Sequence, residues 1–375
     1  MRSITEETRM AAGVAAPVRP AGGPGIPPGV PTSAEFHFTQ TESFVALLRE
    51  LGSTLLISTY QANKLLVARA AGGGLSILVR TFDRPMGIAA DPKRIALGTR
   101  DQVWQFRNAP DLAPRLDPPA THDACFIPRS SHVTGDIGIH EMAWAGENAD
   151  ELWMVNTRFS CLCTLDVDYS FVPRWRPPFI TALAAEDRCH LNGLAIAGSK
   201  PAYATALGRT DVKDGWRVGK ASGGCAMSLP DGRVLIDGLC MPHSPRFHQD
   251  RLWVLESGTG KLLDICPASG ESRQVATLPG FARGLAFCGP YAFVGLSKIR
   301  SSSAMDGVPL AAKRNQLKCG VAVVDTRSGE IVASLDFQSA VEEVFDVQLV
   351  AGQRFPEVIG FQKDALQHTF VVPNV

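Results

Sequence analysis

Between Thr41 and Leu51 apolar residues recur at the three-and-four spacing of a helix, with Phe44, Leu47, Leu48 and Leu51 on one face. Thr41 or Ser43 can cap this segment and Gly52 can stop it, so one amphipathic helix is predicted over about 41–51, docked on the first sheet. Past Gly52 the helical period does not return. The chain runs instead in short apolar stretches rich in Val, Ile, Leu and aromatics, broken by Gly, Pro and Asp, which is the pattern of strands.

These stretches repeat. A turn followed by a short apolar strand occurs as RPMGIAAD (84–91), IHEMAWAG (139–146), HLNGLAIAG (190–198), MPHSPRFHQD (241–250), FARGLAFCG (281–289) and VFDVQLVAG (344–352). A second strand follows as RIALGTR, ELWMVNTR, PAYATALGR, RLWVLESG and YAFVGLSK, and TLLISTYQANK at 54–64 supplies its sixth copy near the start. Third and fourth strands fit SCLCTLDV with FVPRWRPPF, KLLDICPA with SRQVATL, and GVAVVDTRSGE with IVASLDF. A four-stranded meander cannot cover its own faces, and such units are stable when arranged radially. The prediction is an all-β, six-bladed β-propeller with four-stranded blades over 35–375, against an open pair of β-sandwiches. PEVIGFQ and HTFVV are expected to pair with the sheet begun by TLLIST and so close the ring.

Composition narrows the partners. Residues 1–34 are rich in Ala, Gly and Pro, which reads as a disordered tail. Lys and Arg number 37 against 37 Asp and Glu, so no global field favours nucleic acid or a membrane surface. The nine cysteines are scattered without paired CxxC spacing and read as reduced thiols. With no apolar leader segment or membrane-length run, the expected compartment is the cytoplasm. Walker, GxSxG, HExxH and dinucleotide motifs are missing from supporting contexts, so no nucleotide cofactor is indicated.

The strings HLNGLA (190–195) and RPMGIA (84–89) resemble the blade openings of the NHL, senescence-marker-protein and gluconolactonase group of six-bladed propellers. Longer strings, among them HDACFIPRSSHVTGDIGIHEMAW, EDRCHLNGLA, LWVLESGTG and FVGLSKIR, resemble an uncharacterised bacterial family of conserved hypothetical proteins, from about Leu55 to Phe355. That family implies no activity. In propellers of this type the residue before the Gly-Ile-Ala strand lies at the channel mouth, which nominates Met86, Glu141, Asn192, His243, Arg283 and Asp346, with His140 and His190 close by. The gluconolactonase resemblance implies a divalent metal at such points. Glu141, Asn192 and Asp346 match its oxygen ligands by type, while His243 departs from it, so a transition metal is as plausible as calcium.

Arg283 would repel a cation and reads as a substrate clamp, with His140 and His190 as proton carriers or loop anchors. After the second strands come Lys64, Arg100, Arg158, Arg209 and Lys298, with Arg300 nearby. These cations suit substrate binding to an anionic small molecule or acidic peptide, unless ion pairs with neighbours such as Asp101 or Asp211 consume them. The long connection between Asn108 and Gly138, carrying His122, Asp123, Cys125, Arg129, His132 and Asp136, reads as a lid or binding loop. Two functions are consistent with this pattern: a metal-dependent enzyme at the axial mouth, or a non-catalytic module recognising an acidic ligand or partner. Oligomeric state is left open.

Overall fold

The computed structural model describes residues 36–299, 305–361 and 364–373; the tail predicted over 1–34, together with Arg300, lies outside them. Six sheets each have four antiparallel strands as the repeats predict, and two of them carry a fifth strand at the outer edge, Phe38–Gln40 on one and Glu357–Val358 on the other. The innermost strands are Ile88–Asp91, Ile139–Ala145, Leu191–Ala197, Pro242–His248, Phe281–Cys288 and Asp346–Ala351. Each packs against the innermost strand of the next blade and the last returns to the first, so the ring is closed.

Closure is made by Asp346–Ala351, which pairs antiparallel with Ser53–Thr59. This corrects the expected closing segments. VFDVQLVAG is the sixth inner-strand copy and fills the inner position itself, so the chain beyond it crosses to the outer edge of the second blade. There Glu357 and Val358 pair in parallel with Cys125 and Phe126. Asp364–His368 is a short 3-10 turn, and no strand forms over 369–373.

The strands read as continuous apolar runs because both of their faces are buried. Leu55 and Ile57 enter the cluster shared with the sixth blade, whereas Leu56, between them, enters the cluster shared with the second. The helix Glu42–Glu50 starts where the Thr41 hydroxyl accepts the Phe44 N–H at 3.3 Å. It buries Phe44, Leu47 and Leu48 against Phe293, Leu335 and Ile57, over the seam between the sixth and first blades, and so covers more than the first sheet. Seven cysteines are buried and all nine are free thiols; burial pushes Cys161, Cys189 and Cys225 up to about 12.

Two devices hold neighbouring blades together at the axis. One is the repeated glycine: a Cβ at Gly87 would meet the His140 carbonyl at 2.8 Å, and one at Gly284, where φ is +80°, would meet the Asp346 Cα at 2.8 Å. The other is a hydroxyl at the end of the second strand, donating to the next blade's inner strand. Ser58 donates to Met86 O (2.5 Å), Thr157 to Leu191 O (2.6 Å), Ser257 to Ala282 O (2.6 Å) and Ser297 to Val344 O (3.1 Å). In the fourth blade Leu207 stands where the hydroxyl would be, and Asn192 makes the equivalent bond to Pro242 O at 2.9 Å. Inner edges that no strand pairs thus satisfy their carbonyls through side chains.

Candidate functional site

That hydroxyl ladder sets the true register of the inner strands. The residue after each acceptor carbonyl lies in one layer, which holds Gly87, Asn192, His243, Arg283 and Phe345. The second-blade hydroxyl of Thr99 donates within its own blade to Gln102 O, and His140 joins the layer by a bond to Thr157 Oγ1 that matches the bond of His243 to Ser257 Oγ. The next residue lies in a second layer, which holds Glu141, Ser244 and Asp346. The expected ring of six therefore mixes registers: Asn192, His243 and Arg283 fall in the first layer, Glu141 and Asp346 in the second, and Met86 is itself an acceptor residue one position earlier. A slip of one residue sends a side chain to the opposite face.

The second layer is structural. Glu141 Oε2 accepts the Leu194 N–H at 2.8 Å, Asp346 Oδ2 accepts that of Ile88 at 2.8 Å, and Ser244 Oγ accepts that of Gly284 at 2.9 Å, each from the following blade. Arg246 bridges the two carboxylates, 3.0 Å from Glu141 Oε1 and 3.6 Å from Asp346 Oδ1. Burial pushes the Asp346 carboxyl up to about 7, with Arg246 pulling it down and Glu141 pushing it further up. The four expected ligands do not fit a metal ion. Arg246 already supplies the cation between Glu141 and Asp346, Asn192 is spent between Thr205 Oγ1 (2.7 Å) and Pro242 O, and the Arg283 charge, which with burial ahead of it depresses His243, would repel a metal ion there. Among the described residues no cluster of three or more His, Cys, Asp or Glu has the geometry to hold a metal.

Above this layer the starts of the inner strands enclose a cavity of about 320 Å³, lined by His140, His190 and Arg283 among others. Arg283 is 8 % exposed; its Cζ lies 3.4 Å from the centroid of the Phe345 ring, and Nη1 is 3.8 Å from Glu343 Oε1. Its Nη2 is buried with no hydrogen-bond partner among the described residues. Burial lowers the guanidinium to about 10, so it is charged at neutral pH.

His140 Nδ1 sits 3.1 Å from Gly138 O and 2.8 Å from Thr157 Oγ1, whose own proton goes to Leu191 O. Nδ1 therefore carries the proton and Nε2 the lone pair. Burial first, then Arg283, holds His140 well below the ordinary histidine range, so the ring is neutral. His243 is wired alike, to Met241 O and Ser257 Oγ at 3.0 Å each, and is depressed for the same reasons. His190 differs: its Nδ1 meets Asp187 Oδ2 at 2.8 Å, and that oxygen also accepts the Trp216 indole N–H at 3.1 Å. The His190 ring lies 4.7 Å from that of His140 and 4.3 Å from Trp216. Asp187 (φ 47°) and His190 (φ 49°) both occupy the left-handed region, a strained backbone that positions the dyad.

Of the five cations expected to bind substrate, only Arg100 lines this cavity, and it is paired with Asp83 at 2.8 Å. Arg158 pairs with Asp136 at 3.3 Å, and Arg209 pairs with Asp237 beside a different cavity. Lys64 donates to Thr81 within its own blade, and neither it nor Lys298 reaches the axial cavity. The supposed lid is mostly blade. Cys125–Val133 is the outer strand of the second blade, His122 is buried at 3.6 Å from Glu357, and Asp123 accepts backbone N–H groups from Arg354 and Phe355. From that connection Asp136 and Gly138 reach the cavity.

Sequence reasoning passed over Arg246, Asp187, Trp216, Tyr60, Phe345 and Arg84. Arg246 left a signal. Three residues past the nominated ring position the other copies carry Ala89, Trp144, Ala195, Ala286 and Leu349, and Arg246 is the one charge among them. Asp187 belongs to a loop with no counterpart in the repeat, so periodicity could not nominate it.

A chain from the crystal structure of a nidogen/laminin complex is similar at 9% identity, with 80% of this chain and 99% of that chain covered and a TM-score of 0.52. A protein of unknown function from Bacteroides caccae is similar at 9% identity, covering 80% of this chain and 98% of its own, with a TM-score of 0.52. At that identity both speak to the fold alone. No curated protein matches the chain. A family model described as a domain of unknown function, DUF4915, matches residues 42–359, and the chain therefore belongs to that uncharacterised family.

Proposed function

We propose that the axial cavity takes a small anion on Arg283 and that His140 and His190 move a proton on it, making the protein an acid–base enzyme acting on an anionic small molecule. One observation carries this reading: the buried, charged Arg283 guanidinium lines the cavity, and among the described residues its Nη2 has no hydrogen-bond partner. Burying a charged donor without an acceptor is costly, and a carboxylate or phosphate oxygen would supply the missing partner. The neutral His140 offers a lone pair on Nε2. His190 has the Asp187 carboxylate as a counter-charge for an imidazolium and as the anchor of its ring. Proton abstraction beside the bound anionic group, or removal of a proton from an attacking water, are the steps these groups suit. No step runs through a metal.

Isothermal titration calorimetry of the full chain with acetate, benzoate and inorganic phosphate tests the clamp. Saturable binding that falls at least about tenfold in Arg283→Gln, the loss of a charge-assisted pair, is expected. Absence of binding by the unaltered protein to all of these anions would sink the reading. The proton-moving step is checked by NMR in D2O: a carboxylic acid with an exchangeable α-hydrogen loses it with wild-type protein and retains it with His190→Gln. Anion binding with neither exchange nor hydrolysis of any acid tried would leave a recognition module in place of an enzyme.

A further inference from the structure

We infer that Trp216 is a positioning residue for His190: it holds the Asp187 carboxylate against the imidazole without lining the cavity itself. This rests on the proton-moving role just proposed for His190 and names the residue that fixes its ring for that role.

The fourth blade passes from its second strand, Lys200–Ala206, to its third, Gly224–Ser228, over 207–223, where the fifth blade turns over 257–260. This longer connection is fastened to the loop that carries Asp187 and His190. The Asp214 N–H donates to Glu186 O at 3.0 Å, and the Thr210 hydroxyl donates to Arg188 O. Asp211 Oδ1 pairs with Arg188 Nη1 at 2.8 Å, and the Trp216 indole N–H donates to Asp187 Oδ2 at 3.1 Å. Four bonds thus land on Glu186, Asp187 and Arg188. The loop requires them, because Asp187 and His190 both hold a left-handed backbone that persists only where the surrounding structure enforces it.

Trp216 is itself firmly seated. It is 1 % exposed, in a cluster with Leu207, Met241 and Phe281. Gly208 leaves it room: a Cβ there would meet the Trp216 Cα at 3.0 Å, and the Gly208 N–H is tied to the carbonyl of Cys189, next to His190, at 3.2 Å. From that seat Trp216 acts on His190 in two ways. Its ring packs on the imidazole with centroids 4.3 Å apart, and its N–H shares the carboxylate oxygen that takes the His190 Nδ1 proton. Asp187 Oδ1 has no partner among the described residues, so Oδ2 carries both bonds and the indole restrains the carboxylate from turning. With Nδ1 held there, Nε2 is the nitrogen that His190 keeps for the cavity.

The test is NMR of the full chain carrying nitrogen-labelled tryptophan and histidine, titrated with pH. One of the six indole N–H resonances is expected to move with the His190 ring, at the same midpoint, and to stop moving in His190→Gln, because both donors share one oxygen. In Trp216→Phe the His190 Nδ1–H resonance is expected to broaden through faster exchange with solvent. The same variant should slow α-hydrogen exchange of a carboxylic acid roughly tenfold or more while keeping the affinity for acetate within about twofold, since a loosened base loses rate before it loses binding. If Trp216→Phe does not fold, the indole titration of the unaltered protein decides. An indole set with no member following His190, or an Nδ1–H resonance unchanged in Trp216→Phe, overturns the positioning role and leaves the proton-moving reading standing. An indole that follows His190 in a protein that exchanges no acid keeps the positioning role and overturns the acid–base step.

Discussion

At the scale of single residues the axis is decided by Arg246, which balances two carboxylates that are almost wholly buried, with Glu141 and Asp346 side chains 5 % and 2 % exposed. Each of those carboxylates accepts a backbone N–H from the following blade, so the triad also ties blades together. Arg246→Met keeps the stem and removes the charge, leaving the buried Glu141 carboxylate without its cation and pushing the Asp346 carboxyl further up. It is expected to cost about 3–5 kcal/mol, measured by denaturant unfolding. A loss below about 1 kcal/mol would show that the carboxylates are balanced from elsewhere. The same triad predicts a pH dependence. The Asp346 carboxyl titrates near 7 when folded and near about 4 when unfolded, so between those values the folded state holds the extra proton. The contribution of this group to stability is then fully present below about pH 4 and is lost as pH rises through about 7. In Asp346→Asn this slope should vanish from the unfolding free energy between pH 4 and 7, and a slope that persists unchanged would assign it to another group.

At the scale of elements, the strand repeat was legible because the blades bury both faces of their inner strands, which writes a similar apolar run in most copies, Pro242–His248 being the polar exception. The helix was legible for the same reason, Phe44 and Leu48 being its most deeply buried positions. The register of the inner strands was not. Apolar runs buried on both sides carry no alternation, so nothing in RPMGIAAD or VFDVQLVAG says which residue turns to the cavity and which to the carboxylate layer. In four blades the register shows through the hydroxyls of Ser58, Thr157, Ser257 and Ser297, each of which selects one carbonyl of the next blade, but not in RIALGT, where Thr99 donates to Gln102 O of its own blade. Three of the site residues survive the correction for distinct reasons. Arg283 is in the cavity layer by its true register, His140 by its wiring to Thr157, and His190 through the strained loop that precedes its strand. Of the surface cations Arg100 lines the cavity, and Arg100, Arg158 and Arg209 are each paired with a neighbouring carboxylate.

At the scale of the molecule, the first blade is completed by Asp346–Ala351 on Ser53–Thr59, and the N-terminal segment adds a second tie where Phe38–Gln40 pairs with Leu335–Phe337 on the outer strand of the sixth blade. The strength of the first-blade joint comes from three sources. A six-residue antiparallel ladder runs from Ser58 opposite Asp346 to Ser53 opposite Ala351. Val344, Val347 and Val350 are fully buried in the clusters on either side. Asp346 adds the axial bonds to Ile88 and Arg246. Removing residues 340–375 withdraws all three and leaves the first blade with three strands and an unpaired inner edge, a geometry that β-strand addition can repair. The truncated chain is expected to lose the single cooperative thermal transition of the full protein, followed by circular dichroism. A synthetic peptide spanning 340–361 should restore that transition in proportion to its concentration, because only the closed ring binds it. The same peptide with Asp346→Ala should restore it less well, since Ile88 would lose its acceptor and Arg246 one of its partners. Cooperative unfolding of the truncated chain at the full protein's temperature, with no response to peptide, would mean that the ring holds without this joint and that inter-blade packing and the N-terminal tie close it.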